Sequence, residues 1–243
     1  MAYTLWRGVV GLVKPTRRPG SLEELIRLLP EGIGVVPLLL NVRQGNMEEF
    51  ESAIPHYERY VAELAEQGMD LIRVGGTPPF MLLGHKGEAE LIAKWEQKYK
   101  TPIVTDGQTH TAAMRALGIR KLIGASYSAL QNKIVINYLT QAGFEVASME
   151  PIDVPFDQVG QIAPETVYSH IKKLFRANPG VDGIYIQGGG WRTGGIVDIL
   201  EQDLQVPVVH ATICQSWEIQ KRLNVHQPQP GFGRLLAELP PMV

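Results

Sequence analysis

The stretch Leu71-Ile72-Arg73-Val74-Gly75-Gly76-Thr77 is a short, mostly apolar run that ends at a pair of glycines. A second run of this kind, Gly183-Ile184-Tyr185-Ile186, is followed by Gly188-Gly189-Gly190. Short apolar runs are typical of strands that are buried on both faces of a parallel sheet. The two glycine clusters begin at positions 75 and 188, 113 residues apart, and Gly11 and Gly124 show the same spacing. This repeat predicts two similar halves.

Six further apolar runs lie at 8–13, 34–39, 102–105, 121–125, 144–147 and 206–209. Amphipathic segments lie between the runs, at 48–66, 88–99, 109–117, 129–142, 165–177, 196–203 and 216–223. Strands that alternate with helices predict right-handed βαβ units. We therefore predict an α/β fold of two flavodoxin-like βαβ domains related by a pseudo-two-fold axis, each with a four-stranded parallel sheet. The first half is expected to comprise 1–112 plus 219–243, and the second 113–218.

The composition limits the classes of function. A net charge of −2 gives no reason to expect a nucleic-acid partner or an anionic membrane surface. No window approaches the ~20 uncharged apolar residues of a membrane span, and the apolar start up to Lys14 has no small-residue cleavage site. The single cysteine cannot form an internal disulfide, and we expect a cytoplasmic location. The sequence leaves open whether identical chains assemble into an oligomer.

The carboxyl ends of the predicted strands should form one ligand site. In open parallel sheets the ligand lies outside these ends, so the two halves should share a cleft between them. The residues expected to converge there are Lys14, Gly76, Asp106, Tyr127, Gly188 and His210. The glycines have two compatible interpretations, tight turns with positive φ or bare N–H groups that bind an anion.

Several side chains at these ends suit acid–base or binding chemistry. His210 is either a structural histidine or an acid–base group, because its reference pKa of about 6.5 allows proton transfer near neutrality. Lys14 can neutralise a dicarboxylate or donate a proton, and Asp106 occupies a comparable strand end. Thr77 is either a helix N-cap or a hydroxyl donor to the ligand. We expect no metal site, because no histidine spacing is typical of metal ligands.

The chain resembles the aspartate/glutamate racemase superfamily, and within it the arylmalonate decarboxylase and maleate isomerase branch. The similarity extends over nearly the whole length, and its markers include Val10-Gly11-Leu12-Val13 with Pro15, Gly76-Thr77, Ala116-Leu117-Gly118-Ile119-Arg120, Tyr127 with Asn132, Asp182-Gly183-Ile184 and Gly231-Phe232-Gly233-Arg234-Leu235. The resemblance implies a two-domain fold with pseudo-two-fold symmetry and no cofactor.

The resemblance also assigns roles and exposes a departure. Racemases and isomerases of this superfamily use two cysteines, one at each glycine-rich strand end, and the decarboxylases keep the second. Here these positions are Gly76 and Gly188, and Cys214 lies elsewhere, so we expect it to be an inert core thiol. Thr77 and Tyr127 are expected to stabilise an enolate.

Four further residues are expected at the substrate. Pro78 stands where the decarboxylases have a serine, and Trp191 is expected to form a wall of the pocket. The substrate's carboxylate is expected to contact Gly189 and Gly190. Arg192 and Thr193 match an arginine of the maleate isomerases and a threonine of the family.

These features predict an enzyme that acts without a cofactor on a small carboxylate or dicarboxylate, malonate- or maleate-like, through an enolate-type intermediate. We expect decarboxylation, with the proton supplied by His210, Lys14 or water. The alternatives are a cis-trans isomerase, racemase, hydratase or other lyase that uses the same pocket, and a carboxylate-binding protein without catalysis. A cysteine introduced at Gly188 is expected to fit and to restore thiol chemistry, provided that the backbone φ suits it.

Overall fold

The computed structural model describes residues 5–18 and 20–242, and the other positions of the expected first half lie outside the described residues. The prediction of two four-stranded parallel sheets is confirmed: the strand orders are β2-β1-β3-β4 and β6-β5-β7-β8. The strands are β1 Gly8–Lys14, β2 Ile33–Leu39, β3 Leu71–Val74, β4 Ile103–Thr105, β5 Lys121–Ser126, β6 Glu145–Pro151, β7 Gly183–Ile186 and β8 Val208–His210.

The two sheets have the same connectivity. In the first sheet, Val10 of β1 lies opposite Val35 of β2 and Leu71 of β3. In the second sheet, Leu122 of β5 lies opposite Val146 of β6 and Gly183 of β7. The repeated order places β1 and β5 at equivalent central positions, as the matching spacing of their glycines indicates.

The helices cover the sheets and connect their strands. They are α1 Gly20–Leu28, α2 Met47–Glu51, α3 Ile54–Glu66, α4 Thr77–Met81, α5 Gly84–Tyr99, α6 Asp106–Ala116, α7 Ala129–Gln141, α8 Pro164–Ala177, α9 Val197–Leu204, α10 Ala211–Arg222 and α11 Arg234–Glu238. The expected single helix at 48–66 is wrong, because Pro55 lies in the first turn of α3 and lacks the N–H that would continue α2. The sequence analysis also missed α1, α4 and α11.

The two halves pack on each other through α10, which follows β8 of the second sheet and contacts α1 and α6 of the first half. Its residue Ile219 packs in an apolar cluster with Val10 of β1, whereas Trp217 belongs to the cluster around the second sheet. The expected boundaries at 112 and 218 stay a prediction. Within the described residues, no helix has the length and apolar character needed to cross a membrane.

Candidate active site

One cavity lies between the carboxyl ends of the two sheets, and residues of both halves line it. Its volume is about 90 Å³. A single water needs about 10–15 Å³ on this measure, so the cavity has room for several waters or one small organic acid. Its lining includes Leu12, Lys14, Pro15, Arg18, Ser21, Leu25, Phe50, Gly75, Gly76, Thr77, Pro78, Asp106, Tyr127, Gln131, Phe156, Gly189, Gly190 and Gln215.

The first pair of glycines forms the floor next to Asp106. The Gly75 N–H donates to the Val13 carbonyl at 2.8 Å, and the Gly76 N–H donates to Asp106 Oδ2 at 2.8 Å. Both N–H groups are therefore already used, and the expectation of bare N–H groups at this pair is wrong. Gly76 has φ of +102°, and a Cβ there would lie 2.5 Å from Tyr57 Oη. Only glycine fits this position without a shift of its neighbours.

Asp106 is held as an oriented carboxylate at the first residue of α6. The Thr105 side chain caps this helix by accepting from the Gln108 N–H, which fixes the first turn. Arg73 Nη2 and Gln215 Nε2 donate to Asp106 Oδ1 at 2.8 Å and 3.0 Å. The fully buried Arg73 also donates to Glu218 Oε2 of α10 at 3.2 Å.

Lys14 ends β1, and its ammonium group lies in the cavity wall. Nζ donates to the Arg18 carbonyl at 3.1 Å and to Ser21 Oγ at 2.6 Å. Burial lowers the pKa of Lys14 to about 8, with the Asp106 charge raising it and the Arg18 charge lowering it further. No described carboxylate forms an ion pair with this side chain.

Arg18 is a second cation at the cavity, and the sequence analysis missed it. Its guanidinium lies 4.1 Å from the ring centroid of Phe156, which comes from the second half. Burial lowers the pKa of Arg18, and Tyr127 and Asp157 partly offset that effect. Arg18 likewise has no ion-pair partner among the carboxylates that the structure describes. The position of Arg18 shortly after the carboxyl end of the first strand is the sequence feature that could have pointed to it.

Tyr127 faces these cations from the second half. Its ring packs edge-on against the fully buried Trp191, with centroids 5.3 Å apart. Burial raises the pKa of Tyr127, while the Arg18 charge and the Gly190 N–H act in the opposite direction. The phenol is therefore a neutral hydrogen-bond donor near neutral pH. Trp191 does not line the cavity, and it supports the Tyr127 ring from behind instead of forming the expected wall.

The second glycine run contributes Gly189 and Gly190 to the lining, but not Gly188. Gly188 has φ of +144°, and a Cβ there would overlap Tyr127 Cε1. The expectation that a cysteine fits at Gly188 is therefore wrong on both backbone and steric grounds.

His210 does not reach the cavity, although its strand ends at the same edge. Its side chain is fully buried, and Nε2 hydrogen-bonds the Thr193 hydroxyl at 2.9 Å. Burial lowers the pKa of His210 and favours the neutral imidazole. The expectation that it points into the cleft is wrong. Cys214 is also fully buried, and burial raises the pKa of its thiol.

Thr77 and Pro78 line the cavity at the start of α4, and Gly76, not Thr77, occupies the N-cap position. The N-cap interpretation of Thr77 is therefore wrong. Gln131, a further residue that the sequence analysis missed, lines the cavity with an Oε1 atom that has no hydrogen-bond partner. Within 5–18 and 20–242, no three His, Cys, Asp or Glu side chains form a group that could hold a metal ion.

The sequence matches the family model described as arylmalonate decarboxylase over residues 10–236. It is 24% identical over 232 residues to an arylmalonate decarboxylase from Bordetella bronchiseptica, covering 94% of this chain and 96% of that protein. It is 21% identical over 230 residues to a maleate isomerase from Pseudomonas putida, covering 91% of each. A crystal structure of a second Pseudomonas putida maleate isomerase has a TM-score of 0.88 at 20% identity, covering 96% of this chain and 99% of that one. That likeness shows a shared fold.

Proposed function

Since the chain belongs to the arylmalonate decarboxylase family, we propose that it decarboxylates a small carboxylic or dicarboxylic acid, without a cofactor, through an enolate-type intermediate. One observation carries the choice of decarboxylation. The ionisable groups at the cavity, Lys14, Arg18 and Asp106, all come from the first half, and the second half adds Tyr127, whose pKa is raised. Racemisation by two opposed groups needs an acid or base on each face of the substrate, whereas decarboxylation needs one proton on one face.

Two parts of the cavity suit the two ends of such a substrate. Arg18, which has no carboxylate partner among the described side chains, takes the carboxylate that stays on the product. Leu12, Leu25 and Phe50 give the cavity apolar lining, and the carboxylate that leaves lies against such lining. An apolar wall disfavours a charged carboxylate and favours its loss as neutral CO₂.

The charge that develops on the remaining fragment is stabilised by hydroxyl donors. Tyr127 and Thr77 both lie in the lining, one from each half. Preorganised donors of this kind contribute most where charge appears during the reaction. Lys14 then donates a proton to carbon in place of the thiol that the decarboxylases use. A pKa of about 8 leaves Lys14 largely protonated at pH 7 and a stronger acid than an ordinary lysine.

The test is CO₂ release from a panel of malonates, measured for the wild type, Lys14→Met and Tyr127→Phe. We expect Lys14→Met to lower kcat by roughly 10²–10⁴-fold, the usual contribution of a positioned proton donor. Tyr127→Phe keeps the packing on Trp191 and should lower kcat by roughly 10²-fold. The wild-type kcat should fall as pH rises through about 8, because the ammonium form of Lys14 is lost there.

If Lys14→Met turns over as fast as the wild type, or if the wild-type rate is unchanged above pH 9, Lys14 is not the proton donor.

Isomerisation is the second candidate, because the chain is also similar to a maleate isomerase. Conversion of maleate to fumarate, with no CO₂ release from any malonate, would favour it. Tight binding of a malonate without any product would instead indicate a binding protein.

A further inference from the structure

We propose that Lys14 is also an amine nucleophile, which forms an imine with a small β-keto acid and loses CO₂ from that adduct. The inference rests on the proposed function, because it uses the same cavity and the same bond cleavage. It adds a substrate class, acids with a ketone next to the carbon that bears the departing carboxylate. It also adds a covalent step that malonates, which have no ketone, cannot undergo.

The placement of the amine is the first support. Lys14 is 7% exposed, and its Nζ lies in the cavity wall. Two neighbours hold the nitrogen, the Arg18 carbonyl and the Ser21 hydroxyl. A neutral amine keeps two N–H groups, which can donate to the carbonyl and the hydroxyl as the ammonium does, so both contacts persist in either form. With both N–H groups used in this way, the lone pair of the neutral amine is left for a bond to substrate.

The charges around Lys14 favour the neutral amine that nucleophilic attack requires. Burial and the nearby Arg18 cation both disfavour the ammonium, and Asp106 opposes them only in part. With a pKa of about 8, about one Lys14 in ten is neutral at pH 7, compared with fewer than about one in a thousand for an ordinary lysine. Desolvation and an adjacent cation are the known means of activating a lysine for imine formation.

The other groups of the cavity meet the remaining needs of the reaction. Imine formation requires a base that takes a proton from the attacking nitrogen and an acid that helps to expel water, and the Asp106 carboxylate and the Tyr127 phenol line the same space as Nζ. Asp106 is fixed by Arg73 and Gln215, so it keeps one orientation during proton transfers. Arg18 is free to bind a carboxylate of the keto acid.

The steps balance without an oxidant or reductant. The Nζ lone pair forms a bond to the keto carbon, the C=O π bond breaks, and the oxygen leaves as water after proton transfer. The bond to the carboxylate carbon then breaks, and its electron pair moves toward the iminium nitrogen, which gives an enamine and CO₂. The enamine takes a proton at carbon, and water hydrolyses the imine to release the ketone and the free amine.

The test is reduction of the adduct. Wild-type protein is incubated with acetoacetate and sodium borohydride, and the lysine peptides are mapped by mass spectrometry. We expect N-isopropyl-lysine at position 14, at least about tenfold above the exposed Lys98, whose pKa its neighbour Glu58 raises. Labelling should increase as pH rises through about 8, opposite to the trend expected for malonates.

Two variants serve as controls. Lys14→Arg keeps the charge but has no primary amine, so it should lose the adduct. Ser21→Ala keeps the amine and should reduce the labelling rate. If Lys14→Arg fails to fold, the peptide map of the wild-type protein still shows whether Lys14 is labelled.

CO₂ release from a malonate, together with no adduct at Lys14 from acetoacetate, would overturn the imine and leave the proposed function standing. An adduct at Lys14 without CO₂ release from any acid would support the imine and contradict the proposed decarboxylase activity.

Discussion

At the residue scale, Gly76 and Gly188 leave no room for a thiol at either glycine-rich strand end. Gly76 and Gly188 both have φ in the region that side chains rarely adopt, at +102° and +144°. In each case an aromatic residue occupies the space that a Cβ would take, Tyr57 at Gly76 and Tyr127 at Gly188. Replacing either glycine by cysteine would therefore disturb the lining that the ligand contacts.

We expect Gly188→Ala to lower the free energy of unfolding by about 2–4 kcal/mol, because it combines backbone strain with overlap on Tyr127. The matched control is Gly189→Ala, one residue away, where a Cβ meets nothing within 4 Å. That control should change stability by less than about 0.5 kcal/mol. Urea denaturation measures both, and equal effects of the two substitutions would contradict the argument.

At the element scale, the segment after β1 and the segment after β6 meet over the cavity. Arg18 belongs to the first and Phe156 to the second, and the guanidinium lies over the ring. Gly45, in the segment between β2 and α2, lies close enough that a Cβ there would contact the Phe156 ring. Three segments without regular structure thus hold the Arg18 guanidinium in place. Its position depends on the packing between these segments and not on a helix or strand.

If Arg18 binds the retained carboxylate, Arg18→Gln should raise KM for a dicarboxylate by roughly 10–100-fold, the value of a charge-assisted hydrogen bond. The control is Arg17→Gln, which removes an exposed neighbouring charge that does not line the cavity. Steady-state kinetics at two salt concentrations separates the two variants. Equal increases in KM would mean that only the long-range charge matters.

The same scale shows what the sequence can and cannot predict. Strands buried on both faces leave continuous apolar runs, so β3 and β7 were predicted with their observed bounds. Short helices carry a weaker signal, and α4 contains two prolines in five residues. At the site, a strand's end predicts where a backbone lies but not where the side chain points. His210 turns to Thr193, and Arg18 lies on a segment without periodicity.

At the scale of the whole molecule, one buried ionic network joins the two halves beneath the cavity. Arg73 of β3 contacts Asp106 of α6 and Glu218 of α10, and Glu218 also accepts from Thr109. These side chains are almost completely shielded from solvent, and Arg73 is fully so. The network therefore fixes the orientation of Asp106 and the contact of α10 with the first sheet together.

We expect Arg73→Met to lower the free energy of unfolding by about 3–5 kcal/mol, because it leaves Asp106 without its cation and Glu218 with only the partly exposed Arg222. Adding Glu218→Gln should recover part of this loss, since it removes one of those charges. A double-mutant cycle by denaturant unfolding gives the coupling between the two residues. Strictly additive effects would show that the contact does not stabilise the fold.

The burial of Cys214 has a consequence for the conditions under which this chain can work. Its thiol is fully enclosed, and among the described residues none that lines the cavity contains sulfur. Peroxide inactivates thiol-dependent enzymes by converting an exposed thiolate to sulfenic and then sulfinic acid. No described side chain that lines this cavity can follow that route. Peroxide at levels that inactivate thiol-dependent enzymes would leave the described lining of this cavity chemically intact.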